Sequence, residues 1–407
     1  MTLPSPEDRA AGRAPLGLLA FLAMMTSVVA MTIDAVLPAL DAISADLGFR
    51  TANDRQLVVL LVFAGLGLAQ LIFGPVADAW GRKRTALLGW GIYLVGTVMG
   101  MLAPSPEWLL AGRFLQGFGA GAPRVVAVAI IRDLYAGRPM ARILSLVMTV
   151  FMLVPMLAPL LGQGLEALGS WRAIFWAYLV LALVSVGWYV IGVPETLDRA
   201  ARRRLAVGPV LAAIKQVIAD RQSALCIFAA VCIFTSFLTY LATAQQIFEE
   251  DYGLGPLFPV TFAAFAGVFA IASWLNGRVV MRLGMWPLCR VGLWVLGAAG
   301  LAGAVLSWAA GGLPPLPVTM GAMAVIFVAV ALLFSNITAL AMEPHGAIAG
   351  TASSVVLSAS TIGSAVFATI LARSYDGSLM PLFAGFGVLA LVAQAALWGL
   401  GRREAAA

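Results

Sequence analysis

The sequence predicts an all-α membrane protein whose twelve transmembrane helices form two six-helix bundles around a central cavity. Hydrophobic residues make up 62% of the 407 residues and charged residues only 11%, whereas a soluble domain carries roughly 25% charged residues. The apolar residues run along the whole chain, which excludes a large separate soluble domain. Because a helix needs about 20 apolar residues to cross a bilayer, twelve spans fit this length.

Apolar runs long enough to cross a membrane recur between short polar segments. We place the spans at residues 15–38, 56–77, 85–103, 107–131, 143–164, 172–193, 223–247, 256–277, 288–308, 317–341, 349–372 and 381–400. The first bundle is therefore expected at 15–193 and the second at 223–400. Between them lies a cytoplasmic linker at 194–222, and the ends are cytoplasmic tails at 1–14 and 401–407.

The distribution of positive charge predicts the orientation. A cytoplasmic amino terminus places 19 of the 25 Lys and Arg residues on the cytoplasmic side and four on the outer side. The opposite orientation would reverse this ratio, against the excess of Lys and Arg that cytoplasmic loops carry. The basic residues are thus orientation signals, not a nucleic-acid surface, and both termini are expected in the cytoplasm.

The linker is the longest polar interruption and divides six spans from six. Its weakly amphipathic segment at 210–219 predicts a helix at the membrane surface. The glycine spacing of residues 74–81 recurs at 277–284, half the chain further on. This echo indicates that the two halves are repeats of one unit.

A short charged segment, Gly-Pro-Val-Ala-Asp-Ala-Trp-Gly-Arg-Lys-Arg, joins spans two and three at residues 74–84. Its glycines let helices approach closely, and its three bases favour the cytoplasmic face. We expect a tight turn that forms a cytoplasmic gate, in which Arg82 or Arg84 pairs with Asp133 at the inner end of span four. The predicted gate residues are Gly74, Asp78, Gly81, Arg82, Lys83, Arg84 and Asp133.

Three charged residues lie inside the spans: Asp34, Arg113 and Arg124. A charge at the bilayer centre costs roughly 2.5–3.5 kcal/mol on insertion scales, and such residues commonly mark a functional site. Asp34, in the outer part of span one, is either solvated near the interface or a cavity carboxylate that binds a proton or substrate. Arg124 either lines the inner half of the cavity or extends to the cytoplasm.

Span four carries a polar face. Arg113, Gln116 and Arg124 recur at helical spacing, and the two arginines lie about 16 Å apart along the axis. A water-filled cavity accepts such a face. Arginine stays protonated, so we expect Arg113 to hold a carboxylate or an ordered water. The predicted proton and substrate residues are Asp34, Arg113, Gln116 and Arg124.

Other residues are assigned to a bend and to the cavity wall. Prolines in a membrane helix free backbone carbonyls, so Pro155, Pro159 and Gly162 predict a bend in span five. Polar or adaptable side chains in other spans either line the cavity or pack between helices. The possible lining residues are Met31, Thr239, Tyr240, Asn336 and Ser358.

Two of these segments resemble motifs of the Major Facilitator Superfamily. The loop between its helices two and three has the pattern Gly-x-x-x-Asp-Arg-x-Gly-Arg-Lys/Arg, and Ala79 stands here where a base is usual. The pattern Arg-x-x-Gln-Gly-x-Gly occurs in span four of proton-coupled members. The residues that match are Gly74, Asp78, Gly81, Arg82, Lys83, Arg113, Gln116, Gly117 and Gly119. The resemblance implies the major facilitator fold.

Span five resembles the motif of drug/proton antiporters, which ends Gly-Pro-x-x-Gly-Gly. Pro159 and Gly162 match, whereas Ala158 and Gln163 replace glycines. Together with Ala-Val-Leu-Pro-Ala-Leu in span one, this is similar to the bicyclomycin/chloramphenicol-resistance (Bcr/CflA) group of that branch.

The resemblance implies a proton-coupled antiporter of the bacterial inner membrane. It would export amphipathic drugs, neutral phenicol- or bicyclomycin-like compounds among them, by alternating access. It also implies that Asp78 docks at the amino end of span eleven, near Gly350 and Thr351, where free amides favour an anion. We expect a monomer whose partners are a small-molecule substrate, protons and the lipid bilayer, with no cofactor beyond the proton gradient.

Three alternatives differ from this interpretation, and one of them is a receptor or scaffold that transports nothing, in which the charges inside the membrane would have no use. Within transporters, the alternative is a dedicated exporter or importer of one endogenous metabolite. An enzyme is not expected, because the chain has a single histidine, His345, and no His-Glu-x-x-His, Gly-x-Ser-x-Gly or Asp-x-Asp pattern. One histidine also makes no metal cluster, so no metal site is expected.

Overall fold

The computed structural model describes residues 4–5, 7–8, 13–202, 205–398 and 400. The predicted tail at 401–407 and most of the tail at 1–14 lie outside these residues. The same holds for five bases of the charge count, which are Arg9, Arg203, Arg204, Arg402 and Arg403. The described part of the chain is helical and contains no strand.

Each of the twelve predicted spans is a helix in the structure. The helices of the first half are α1 (Leu16–Asp34), α2 (Leu40–Leu47), α3 (Leu57–Trp80), α4 (Arg82–Met101), α5 (Pro106–Leu134), α6 (Gly137–Glu166) and α7 (Arg172–Gly192). The remaining helices are α8 (Val207–Ala219), α9 (Arg221–Gln245), α10 (Phe258–Leu283), α11 (Met285–Ala309), α12 (Leu316–Met342), α13 (Ala349–Arg373) and α14 (Met380–Leu397). The helix predicted at 210–219 is confirmed as α8.

Eleven helical segments of the described chain are long and apolar enough to cross a membrane. The helix predicted as span three, α4, is not among them, because it begins with three bases and contains four glycines. Its 20 residues still span about 30 Å, the thickness of the hydrocarbon core. The protein is thus a multi-pass membrane protein, and the count of twelve spans stays a prediction.

Span one differs from the expected 15–38. Helix α1 ends at Asp34 because Pro38 lacks the N–H that would bond the carbonyl of Asp34. A 3-10 turn, Leu37–Ala39, and α2 then continue the apolar stretch to Leu47. The apolar stretch thus continues past the expected end at 38, although α2 already carries Asp41 and Asp46. The expected place of Asp34 in the outer part of span one stays a prediction.

The predicted turn at 74–84 is shorter than expected. Helix α3 continues to Trp80 and α4 begins at Arg82, so Gly81 alone separates them. Its φ of 98° lies in the left-handed region, which glycine adopts without strain. A Cβ at this position would also lie 2.5 Å from a carboxylate oxygen of Glu195. The backbone conformation therefore requires glycine here, and a side chain would also displace the Glu195 carboxylate.

The contacts divide the chain into two compact units. The first contains the residues up to Arg50 and Leu61–Gly208, and the second contains Thr51–Leu60 and the residues from Pro209 on. The start of α3 is thus grouped with the second unit. The bundle boundaries at 15–193 and 223–400 stay a prediction.

In the first unit, glycines bring α5 into backbone contact with two neighbours. A Cβ at Gly117 would overlap the carbonyl oxygen of Val62 on α3, and a Cβ at Gly119 would overlap the backbone nitrogen of Tyr93 on α4. Helices in a membrane associate through such close packing, because lipid removes the hydrophobic driving force between them. The glycines in the first half of span four therefore allow α5 to pack closely against α3 and α4.

In the second unit, stacked rings fill the space between α9, α10 and α12. The Tyr240 ring meets the Phe327 ring edge-on with centroids 4.6 Å apart, and Phe265 lies 5.6 Å from Tyr240 and 5.4 Å from Phe327. Such pairs contribute roughly 0.5–1.5 kcal/mol beyond area burial. Tyr240, a possible lining residue, is thus a member of this aromatic core.

Replacing Gly119 by Val should prevent the close approach of α5 to α4, because the new side chain would overlap backbone that cannot move cheaply. We expect a sharp fall in the yield of monodisperse protein, measured by size-exclusion chromatography in detergent. The matched control is Gly91→Val on α4, where nothing lies within 4 Å of an added Cβ. Equal profiles for the two variants would contradict this packing of α5 against α4.

Candidate functional site

The last turn of α1 is held by a buried arginine from α5. Arg113 is 0% exposed, and its Nη2 donates to the carbonyl oxygen of Thr32 at 2.8 Å. The last four carbonyls of a helix lack partners within it, and Pro38 prevents the helix from continuing. Tyr178 on α7 donates to the same carbonyl at 3.3 Å. The break in α1 is therefore compensated by side chains of two other helices.

Gln116 fixes the orientation of Arg113. Its Oε1 accepts from Arg113 Nη1 at 2.9 Å, and its Nε2 donates to the hydroxyl of Thr97 on α4 at 3.0 Å. The Thr32 and Tyr93 hydroxyls are 2.7 Å apart. The structure thus brings Arg113 and Gln116 together beside span one. The sequence predicted that Arg113 holds a carboxylate or an ordered water. The acceptors of these two bonds are instead the side-chain amide of Gln116 and the backbone carbonyl of Thr32.

Asp34 lies two residues after Thr32 and is 4% exposed. Among the residues that the structure describes, none donates a hydrogen bond to its carboxylate. An ionised carboxylate in apolar surroundings is costly unless it is paired. Burial of this degree does not fit a residue that is merely solvated at the interface, and it leaves the charge of Asp34 sensitive to its surroundings.

Helix α6 touches α1 immediately next to Asp34. A Cβ at Gly162 would overlap the carbonyl oxygen of Ala35, so the two backbones meet there. Pro155 and Pro159 lie inside the same helix, and each removes a backbone donor and permits a bend. The three residues predicted to bend span five therefore belong to the helix that borders Asp34.

Arg124 has different surroundings from Arg113, three turns away along α5. Its guanidinium carbon lies 5.7 Å from the centre of the Phe151 ring on α6, and its side chain is partly exposed. No described residue forms an ion pair or a hydrogen bond with it. The donors of Arg124 therefore remain open, whereas those of Arg113 bond Gln116 and Thr32.

Arg82 is the centre of an ion-pair cluster where α3 meets α4. Its Nη1 lies 2.6 Å from Asp78, and its Nε lies 2.9 Å from Asp133. Burial alone would lower the pKa of Arg82, but hydrogen bonds with Asp133 and Asp78 outweigh it and raise the pKa above its ordinary value. Asp133 thus pairs with Arg82, while Arg84 is exposed. The docking of Asp78 near Gly350 stays a prediction.

Glu195 is a residue of this cluster that the sequence analysis missed. Its carboxylate accepts from the backbone N–H groups of Arg82 and Lys83, at 2.9 and 3.2 Å, and so caps α4. The Nζ of Lys83 donates to the carbonyls of Val190 and Val193, both at 2.9 Å. Free amides at a helix start favour an acid. The sequence did contain a feature that could have predicted this cap, because Glu195 directly follows span six and is expected on the same side of the membrane as the bases at 82–84.

A second polar cluster was also missed and lies within the second unit. Arg55, which is 3% exposed, forms an ion pair of 2.7 Å with Glu250. The Asn53 amide donates to the carbonyl of Tyr375 at 2.7 Å, and the Tyr375 hydroxyl donates to Asp251. These bonds tie the segment before α3 to the ends of α9 and α13. The sequence feature that could have predicted this cluster is the run of three consecutive acids, 249–251, at the end of span seven.

The possible lining residues of the second half are all buried. Asn336 donates to the side-chain carbonyl of Asn276 at 2.8 Å, which joins α12 to α10. The residues whose lining role stays a prediction are Met31, Thr239, Tyr240, Asn336 and Ser358.

The described residues contain no group of three or more His, Cys, Asp or Glu side chains that could hold a metal ion. Asp78 and Asp133 both bond Arg82, whose positive charge opposes a cation there. The three cysteines are free and buried.

The sequence pattern of the Major Facilitator Superfamily matches residues 19–368, which is most of the chain. The chain belongs to this superfamily. Its members are transporters, so the expectation that the protein is not an enzyme is confirmed.

Known proteins resemble this facilitator over different lengths. It is 26% identical over 398 residues to YdgK, an uncharacterized MFS-type transporter of Bacillus subtilis (strain 168), with 96% of both chains covered. It is 37% identical over 153 residues to the multidrug resistance protein MdtL of Escherichia coli O9:H4 (strain HS), which covers 37% of this chain and 38% of MdtL. The solved xylose transporter XylE from E. coli shares the fold, with a TM-score of 0.71 at 12% identity over 94% of this chain and 97% of XylE.

Replacing Gly162 by Ala in this facilitator should lower its thermal stability, because the methyl group would overlap the backbone beside Asp34. Overpacking of this kind costs typically about 1–3 kcal/mol. Thermal unfolding of the purified protein in detergent measures the effect. The control is Gly164→Ala two residues on, where an added Cβ meets nothing within 4 Å. A Gly162 variant as stable as this control would refute the contact.

Proposed function

We propose that this facilitator is a proton-coupled antiporter that exports amphipathic drugs across the bacterial inner membrane by alternating access. The observation that carries the proposal is the buried Asp34 carboxylate, two residues after the carbonyl that Arg113 holds. Asp34, whose charge can change, and Arg113, whose charge is fixed, thus both act on the last turn of α1. This is the arrangement that converts proton binding into movement of a helix end.

The proposed coupling follows from electrostatics. Ionised Asp34 is costly in apolar surroundings, so taking up a proton changes the free energy of this turn of α1. The turn is attached to α5 through Thr32 and touches α6 through Ala35 and Gly162. A change at Asp34 therefore reaches both helices. Proton binding from outside would release the substrate there and reset the carrier to face inward.

Similarity to known proteins supports export of drugs. The partial match to MdtL is to a protein described as a multidrug resistance protein. The motif of drug/proton antiporters at Pro159 and Gly162 supports the same branch, with the bicyclomycin/chloramphenicol-resistance group as its nearest pattern. We infer neutral phenicol- or bicyclomycin-like compounds as substrates to be tested first.

We also infer the features that complete this transporter. Helix α4 crosses the membrane as span three, which gives twelve spans with both termini in the cytoplasm. The proton gradient is the sole energy source, no cofactor takes part, and the monomer is the working unit. The short helix α8, with exposed Leu211 and Ile218, suits a place on the membrane surface.

The second candidate is a dedicated exporter or importer of one endogenous metabolite. Ala158 and Gln163 favour it, because they replace two glycines of the drug-antiporter motif. A carrier of this kind would confer no resistance to a panel of drugs, whereas its fold and its Asp34 turn would be the same.

Replacing Asp34 by Asn should abolish proton-driven export, because the amide keeps the shape but cannot take up or release a proton. The measurement is resistance of a pump-deficient bacterium to neutral and cationic drugs, together with drug-dependent proton flux in inverted vesicles. The matched control is Asp41→Asn, since Asp41 is exposed on α2. We expect the control to transport like the wild type.

Undiminished export by the Asp34 variant would refute the role of this carboxylate. Resistance to no compound at all, with the protein present in the membrane, would instead favour the metabolite carrier.

A further inference from the structure

We propose that Arg124 and Phe151 form a binding site for the carboxylate and ring of an aromatic organic anion. This inference rests on the proposed function, because it adds aromatic carboxylates to the neutral amphipathic compounds that the exporter would recognise. It starts from an arginine inside the membrane for which the described residues provide no anion.

The depth of Arg124 in the membrane is the first step. Helix α5 has 29 residues, from Pro106 to Leu134, and Arg124 stands four residues past its middle, which is about 6 Å along the axis. The hydrocarbon core extends about 15 Å to either side of its centre. With the middle of α5 placed at the bilayer centre, the backbone of Arg124 lies roughly 9 Å short of the headgroups. Lipid would not accept its partly exposed guanidinium without a large cost.

The contrast with Arg113 is the second step. Arg113 is fully buried and bonds Gln116 and the Thr32 carbonyl, so its role is to hold the fold around Asp34. Arg124 carries the same charge on the same helix, but its contact among the described residues is the Phe151 ring. Both arginines lie beside a phenylalanine ring, so the difference between them is that described residues accept hydrogen bonds from Arg113 and none accepts one from Arg124.

The chemistry of the pair selects the ligand class. A guanidinium presents a planar fork of N–H donors that matches a carboxylate through two parallel hydrogen bonds. Phe151 supplies a flat apolar surface beside that fork, and aromatic rings pack offset or edge-on against it. A molecule with a carboxylate attached to an aromatic ring satisfies both groups at once. Cations are disfavoured, because Arg124 repels them at short range in a low dielectric.

The neighbouring backbone favours adjustment of this site. Pro155 lacks the N–H that would bond the carbonyl of Phe151, so α6 lacks one backbone hydrogen bond at the turn that carries the ring. The ring can therefore shift with the bend of α6, while the arginine is fixed on α5. Ligands of different ring size are accommodated by movement of one wall.

The test uses purified full-length protein in lipid nanodiscs and two matched probes. 1-Naphthoate carries the ring and the carboxylate, and 1-naphthamide keeps the ring but is neutral. Isothermal titration calorimetry measures the affinity of each probe for the wild type and for Arg124→Gln, Arg124→Lys and Phe151→Leu. The control is Arg278→Gln, because Arg278 lies 3.7 Å from the centre of the Trp274 ring but is exposed on α10.

We expect the wild type and the Arg278 variant to bind 1-naphthoate at least about ten-fold more tightly than 1-naphthamide, which corresponds to about 1.4 kcal/mol. Arg124→Gln should remove this preference with the naphthamide affinity unchanged, which also shows that the variant is folded. Arg124→Lys should keep part of the preference through charge alone. Phe151→Leu should weaken both probes alike.

Three results would overturn the site: no naphthoate binding to the wild type, equal affinity for both probes, or a preference that survives in Arg124→Gln. Proton coupling is separated from these results because binding is measured without a gradient. Normal probe binding with unchanged export by the Asp34 variant would refute the antiport mechanism and leave the anion site standing.

Discussion

Backbone polar groups inside a bilayer must find partners within the protein, and the bond from Arg113 to the Thr32 carbonyl meets this requirement at the break in α1. Pro38 stops the helix in the middle of an apolar stretch and leaves carbonyls that water cannot reach. The buried arginine would itself be costly without acceptors. The break and the arginine therefore stabilise each other, because each supplies the other with one hydrogen-bond partner inside the protein.

This mutual dependence makes Asp34 distinctive. The residue two positions before it is tied to α5 and α7, and the residue after it touches α6. The carboxylate itself receives no hydrogen bond from the described residues. The backbone on both sides of Asp34 is therefore fixed by contacts with three other helices, whereas its carboxylate has no such contact. The proposed coupling depends on this difference.

The sequence was sufficient for features that depend on composition and local spacing. The length of the apolar runs predicted every span as a helix, and the three-residue spacing of Arg113 and Gln116 predicted that their side chains share one face of a helix. Features that depend on distant residues were missed: Glu195 caps a helix that begins 113 residues earlier, and nothing local indicates this pairing. The end of span one was wrong for a related reason, because Pro38 looked like an end of the span, whereas the chain resumes as a helix beyond it.

The link of one residue, Gly81, between α3 and α4 limits which changes of length relatives of this protein can tolerate here. Gly89 and Gly96 of α4 are packed against α5, and only Gly81 separates α4 from the end of α3. The length of this link therefore fixes where α4 begins relative to α5. The link thus sets the register of α4 against α5, and we expect relatives to vary the side chains around it while keeping its length.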